Sequence, residues 1–93
     1  MFVWDLHKAI VNYDKHNVSF EEAITVFSDP DALEWDDPEH SHSEIRWKRL
    51  GRSIEGRILL VVYTVRRAKN GKETIRLISA RQASRKERKA YVR

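Results

Sequence analysis

Apolar positions along the chain recur at two periods, and the change from one to the other divides it. In the first third the spacing is helical. Leu6, Ala9, Ile10 and Tyr13 recur three and four apart, and Phe20, Ala23, Ile24 and Phe27 do the same. Each set predicts the buried face of a helix. Local signals bound both. Asp5 is an N-cap for a helix running to about Lys15, and His16-Asn17 ends it, because asparagine tolerates the left-handed backbone of a helix stop. Ser19 with Glu22 three residues on predicts a capping box that opens the second helix, and Asp29-Pro30 stops it. Helices this short are not stable alone, so both must pack on something.

Elsewhere the period is two. Phe2-Val3-Trp4 predicts a short strand ahead of the helices, and Ala32 to Trp35 another after them. Asp36 to Ser43 is a polar loop. Glu44 to Leu50 alternates, with Ile45 and Trp47 on one face and Arg46 and Lys48 on the other. A turn region, Gly51 to Gly56, precedes the strongest strand, Arg57 to Arg67, which is rich in β-branched residues. Asn70-Gly71 is a hairpin signal, and Glu73 to Arg81 is the returning strand. Ser84 with Glu87 predicts a capping box for a last helix reaching about Val92. The expected fold is α+β, one domain over residues 1–93: an antiparallel sheet with two N-terminal helices and one C-terminal helix, in the order β-α-α-β-β-β-β-α.

The hairpin permits a sharper expectation. With Asn70 and Gly71 as the central pair of a type I′ turn, Lys69 faces Lys72. One face then carries Leu60, Val62, Thr64, Arg66, Ile75, Leu77, Ser79 and Arg81, and Arg76 points to the other.

Composition narrows the class. The chain has no cysteine, which excludes disulfides and thiolate metal sites and fits a reducing cytosol. The opening MFVWDLHK lacks the pattern of a signal peptide, and the longest apolar run, Ile58 to Tyr63, is too short to span a bilayer, so no membrane partner is expected. The net charge of +4 hides a split. Residues 1–43 hold two Lys/Arg against ten Asp/Glu, while residues 44–93 hold sixteen against four. An imbalance of this size points to a polyanionic partner for the basic half; alternatively the halves fold together and partly neutralise.

Beyond these patterns, strings of residues resemble a known family. Phe2-x-Trp4-Asp5, Asn12, Lys15-His16-x-Val18-Ser19-Phe20-Glu21-Glu22-Ala23 and Val26-Phe27-x-Asp29 resemble the opening of BrnT-type toxins. So do Asp37-x-x-His40-Ser41, Glu44-x-Arg46, Gly51, Leu60-Val61-Val62-Tyr63-Thr64 and Ile75-Arg76-x-Ile78-Ser79-Ala80-Arg81-x-Ala83, with Glu87 and Tyr91 beyond. One departure is Asn17, where the family usually has glycine; asparagine takes the same backbone. The resemblance implies a RelE-like fold and a ribonuclease toxin of a bacterial type II toxin–antitoxin pair, cytoplasmic, which inhibits translation by cutting RNA. It implies a BrnA-type ribbon-helix-helix antitoxin as partner, with operator DNA bound through the complex, and calls for no cofactor.

Metal-independent RNA cleavage requires deprotonation of the 2′-OH, stabilisation of the phosphorane and protonation of the leaving 5′-oxygen. Arginine suits the second task. Arg46, Arg66 and Arg81 are the favoured phosphate ligands, and each can equally cover the sheet or meet an acidic helix. His40 is the leading acid–base candidate, with Glu44 as its orienter or as the base; alternatively His40 caps the loop and Glu44 pairs with Arg46. Tyr91 is a further candidate, as a base-stacking side chain, a proton donor or a helix anchor. Arg76, Lys48, Arg67, Arg85, Lys86 and Lys89 are candidate RNA-binding cations. His40-x-His42 beside Asp36 and Asp37 matches no common zinc spacing, so no metal is expected. The competing reading is a non-catalytic basic module that binds an antitoxin or operator DNA.

Overall fold

The computed structural model describes all 93 residues. A strand β1 (Phe2–Val3) leads into helix α1 (Leu6–His16). Helix α2 (Phe20–Ala23) follows and continues as a 3-10 segment (Ile24–Ser28). Then come β2 (Leu33–Asp36), a 3-10 turn (Pro38–His40), β3 (Arg46–Arg52), β4 (Ile58–Arg67), β5 (Glu73–Gln82) and helix α3 (Arg85–Val92). The strands form one five-stranded sheet in the order β1-β5-β4-β3-β2. The fold is mixed α+β. The sheet is not wholly antiparallel as expected: β1 runs parallel to β5, pairing Phe2 with Ile75 and Val3 with Arg76. A parallel pair needs a long crossover, and here residues 4–72 lie between the two strands.

The caps behave as local chemistry dictates. Asp5 accepts a hydrogen bond from the Lys8 N–H at 3.1 Å, and Asn17 takes the left-handed conformation at φ 57°. Ser84 and Glu87 form the complete capping box. The box expected at Ser19 is only half made. Ser19 Oγ accepts from the Glu22 N–H at 3.0 Å, but the Glu22 carboxylate turns away to accept from Ser53 Oγ at 2.7 Å and from the Arg57 guanidinium. A charged donor outcompetes a backbone amide for that carboxylate.

The predicted inner face of α1 is a correction. Leu6, Ile10 and Tyr13 are 73, 55 and 51% exposed, and the buried residue is Asn12. Its Nδ2 donates to the carbonyls of Ala80 (2.8 Å) and Val18 (3.0 Å), while its Oδ1 accepts from the Ala80 N–H (3.0 Å). β1 is only two residues long, so on its β1 side β5 has no strand neighbour at Ala80, where Val61 of β4 pairs on the other side. The Asn12 amide supplies the missing ladder bonds and turns the helix to do so.

The hairpin is the second correction. The loop closes across Ala68 and Lys72, whose carbonyl accepts from the Ala68 N–H at 2.8 Å, and only Gly71 takes positive φ, at 82°. Near the turn Thr64 therefore faces Arg76 and Tyr63 faces Leu77. A β-bulge at Ile78 then restores the expected register, with Val62 opposite Ser79 and Leu60 opposite Arg81. Between turn and bulge each β5 side chain lies on the face opposite to expectation. Ile75 and Leu77 face the core, and Arg76 joins Thr64 and Arg66.

The core lies on one face of the sheet. Leu59, Val61, Tyr63, Leu77 and Ala80 pack there against Val18, Phe20, Ala23 and Val26. Phe27 stands edge-on to Tyr63, with ring centroids 5.0 Å apart. At Gly51 an added Cβ would lie 3.1 Å from the Ala32 Cβ, so the strand passes too close to the β2 segment to carry a side chain inward. On the other face, Leu50 and Leu60 pair across β3 and β4 and are buried at the end where α3 returns. The opposite end of that face stays open.

Candidate active site

Strand register alone sets three side chains in a row at the open end. Arg46 of β3 faces Thr64 of β4, and Thr64 faces Arg76 of β5. They floor a cleft of about 180 Å³, walled by the loop before β3 through His40, His42 and Glu44, and by Lys8 from α1. Neither the Arg46 nor the Arg76 guanidinium makes a hydrogen bond or ion pair in the structure, whereas Arg49, Arg57, Arg66, Arg67 and Arg81 all hold carboxylates.

The loop is fixed by Ser41. Its Oγ donates to the Asp37 carbonyl at 2.7 Å and accepts from the Arg46 N–H at 2.9 Å, while the Asp37 N–H donates to the Arg46 carbonyl at 2.8 Å. Anchored this way, Asp37 brings its carboxylate within 2.8 Å of His40 Nδ1 and 3.6 Å of Lys48 Nζ. Burial works to raise the Asp37 carboxyl, but the His40 hydrogen bond and the Lys48 charge outweigh it, and the group sits below the usual carboxylate range. An ionised Asp37 holds the proton on Nδ1 and leaves His40 Nε2 free for substrate. Glu44 is gripped by Arg66 through bonds of 2.8 and 3.3 Å. That hydrogen bonding, opposed by desolvation and aided by the charges of Arg66 and Arg76, lowers its carboxyl as well. The cleft thus holds the Glu44 carboxylate, the His40 imidazole oriented from behind by Asp37, and three unpaired cations: Lys8, Arg46 and Arg76.

The structure divides the sequence candidates. His40, Glu44 and Arg46 line the cleft, and Arg66 borders it through Glu44. Arg76, expected on the far face, is in the cleft because of the shortened register. Arg81 is outside it, in a two-bond pair with Glu87 at 2.8 and 3.0 Å. Tyr91 is outside too, donating to Asp29 Oδ2 at 2.6 Å with the Arg52 guanidinium over its ring. Lys48 serves Asp37, and Arg67 pairs with Glu73 across the hairpin. Arg85, Lys86 and Lys89 are exposed along α3. Sequence reasoning passed over Lys8 and the pairing of Asp37 with His40, whereas Thr64 stands with Arg66, Ser79 and Arg81 among the polar groups that the hairpin reading makes available for phosphate. The Asp37-x-x-His40 spacing was a usable signal, since one turn of 3-10 helix brings those positions together. Lys8 carried none, because only the tertiary placement of α1 brings it here. No three His, Asp or Glu side chains are grouped so as to share a metal ion.

A family model described as "Ribonuclease toxin, BrnT, of type II toxin-antitoxin system" matches residues 4–87. Among solved structures, the chain is similar to the 1.1 Å crystal structure of the Brucella abortus ribonuclease toxin BrnT, with a TM-score of 0.63. The two are 22% identical, over 91% of this chain and 99% of that one, and the likeness is one of fold. No curated protein matches.

Proposed function

Since the chain belongs to the BrnT family of ribonuclease toxins of type II toxin–antitoxin systems, we propose that the cleft at the open end of the sheet is where it cuts RNA, without a metal ion. The observation that carries this reading is the pair of unpartnered arginines, Arg46 and Arg76, beside a histidine oriented by a carboxylate. Two guanidiniums at fixed strand positions suit the charge that accumulates on a phosphorane. His40, protonated at Nε2 and hydrogen-bonded to Asp37 through Nδ1, gives its Nε2 proton to the leaving 5′-oxygen as the P–O5′ bond breaks. Glu44 accepts the 2′-OH proton as that oxygen attacks phosphorus. The products are a 2′,3′-cyclic phosphate and a 5′-hydroxyl. Held low by Arg66, Glu44 is a weak base, so the greater part of the rate enhancement falls to the arginines and Lys8.

Several finer features follow from family membership and belong to the same proposal. The fold is RelE-like, the protein acts in the bacterial cytoplasm, and its cleavage of RNA inhibits translation. A BrnA-type ribbon-helix-helix antitoxin neutralises it by covering the cleft, and the pair binds operator DNA through the antitoxin. The test is incubation of purified protein with labelled RNA in EDTA. Cut products are expected, and Arg46→Ala and His40→Ala are expected to abolish them without loss of fold. Salt-dependent nucleic-acid binding with no cleavage would instead make this a non-catalytic binding module.

A further inference from the structure

Thr64 is 5% exposed, and its Oγ1 is the one buried side-chain oxygen or nitrogen in the chain with no hydrogen-bond partner. The Glu44 carboxylate is near enough for this hydroxyl to help lower it, yet the two do not make a hydrogen bond. Buried hydroxyls are nearly always paired, because an unpaired one retains the cost of leaving water. This one faces the cleft between Arg46 and Arg76, its two cross-strand neighbours, which also lack partners. Three adjacent donors without an acceptor are complementary to an oxyanion. The alternation that places Thr64 there also excludes it from the core, where Tyr63 and Val61 point.

We infer that the row Arg46–Thr64–Arg76 is an oxyanion seat for a phosphodiester, in which Thr64 Oγ1 donates to a non-bridging phosphate oxygen and the two guanidiniums grip from either side. This rests on the cleft being the RNA site. Thr64→Val keeps the side-chain shape and removes the unpaired hydroxyl; Thr64→Ser keeps the hydroxyl. Thr64→Val is expected to melt no lower than the parent, yet to lower kcat/KM for RNA by about 10- to 100-fold, while Thr64→Ser stays within a few-fold of it. Affinity for 2′-O-methyl RNA, which cannot be cut, is expected to fall in Thr64→Val, Arg46→Ala and Arg76→Ala alike. If Thr64→Val cleaves and binds like the parent while Arg46→Ala does neither, the seat is wrong. It is also wrong if Thr64→Val melts well below the parent, since the hydroxyl is then structural. If the parent cuts no RNA but Thr64→Val still weakens binding, the seat stands and the nuclease reading falls.

Discussion

Arg76 and Arg81 lie on the same strand and the same face of the sheet, and they have opposite surroundings. Arg76 opens onto the cleft with no carboxylate in contact. Arg81 is clamped by Glu87, which the first turn of α3 delivers to it. The contrast extends to the two ends of that face. At the closed end the polar groups satisfy one another: Tyr91 donates to Asp29, Arg52 lies over the Tyr91 ring, and Leu50 and Leu60 are buried nearby. At the open end Lys8, Arg46, Arg76 and the Thr64 hydroxyl have no partner. A charge count cannot separate these ends, because both are strongly basic. The distinction lies in whether the fold supplies an acid within reach. Where it does, an arginine is structural; where it does not, the arginine is available to a ligand.

The largest expected effect tests that distinction directly. Arg46→Ala should lower RNA cleavage by about 100- to 1,000-fold, the usual consequence of losing one preorganised oxyanion donor. Its stability should stay within about 0.5 kcal/mol of the parent, because the guanidinium makes no contact to lose. Arg81→Ala should do the reverse, destabilising the domain by about 1 kcal/mol while cleavage by the folded protein stays within a few-fold. Single-turnover cleavage with parallel urea melts reads both. A folded Arg81→Ala protein without activity would break the division between the ends.

The same contrast explains what was legible in the sequence. Features set by a few neighbouring residues were readable: the Asp5 and Ser84 caps, the Asn17 helix stop, and the alternation of Arg46 and Trp47 along β3. Features set by distant partners were not. Leu6, Ile10 and Tyr13 have the spacing of a buried stripe, but α1 is oriented by Asn12, whose partner Ala80 is far along the chain. Asn70-Gly71 is compatible with a two- or a three-residue loop, and that choice, with the bulge at Ile78, decides which face Arg76 occupies. The candidate site was legible in part for the same reason. His40, Glu44 and Arg46 stand close in the chain and were found together, whereas Thr64 and Lys8 join them only through folding.

A smaller effect concerns how the closed end is held. Hydrogen bonding from Arg81, working against burial, lowers the Glu87 carboxyl from 4.5 to about 2. A carboxyl depressed in the folded state stabilises fully above its unfolded pKa, and that contribution drains away as pH falls through the folded value. The stabilisation from Glu87 should therefore be complete above pH 4.5 and vanish toward about pH 2. Thermal melts of the parent and of Glu87→Gln should differ most near neutrality and converge at the acid end. A difference that does not depend on pH would mean the pair matters only as a neutral helix cap. Glu22, lowered chiefly by its bond to Arg57, adds acid sensitivity of the same sign in both proteins and so cancels from the comparison.

The smallest effects should come from the outer surface of α3, where the closed end itself presents unpaired charge. Arg85, Lys86 and Lys89 are exposed and make no side-chain ion pair, yet they lie outside the cleft. Cations of this kind hold a nucleic-acid backbone by releasing its counterions, a contribution that is general in sequence and strong in salt dependence. Each change to alanine should weaken binding of single-stranded RNA at low salt and reduce the slope of log K against log salt by about 0.7. The rate of cleavage at saturating RNA should not move, because these groups touch the substrate equally before and during the reaction. Arg76→Ala, in contrast, should lower both binding and rate. If the α3 variants lower the saturated rate as Arg76→Ala does, the helix belongs to the reacting site and the two ends of the sheet are not chemically distinct. If they leave the salt slope unchanged, α3 does not meet RNA at all, and its basic surface is free for the antitoxin.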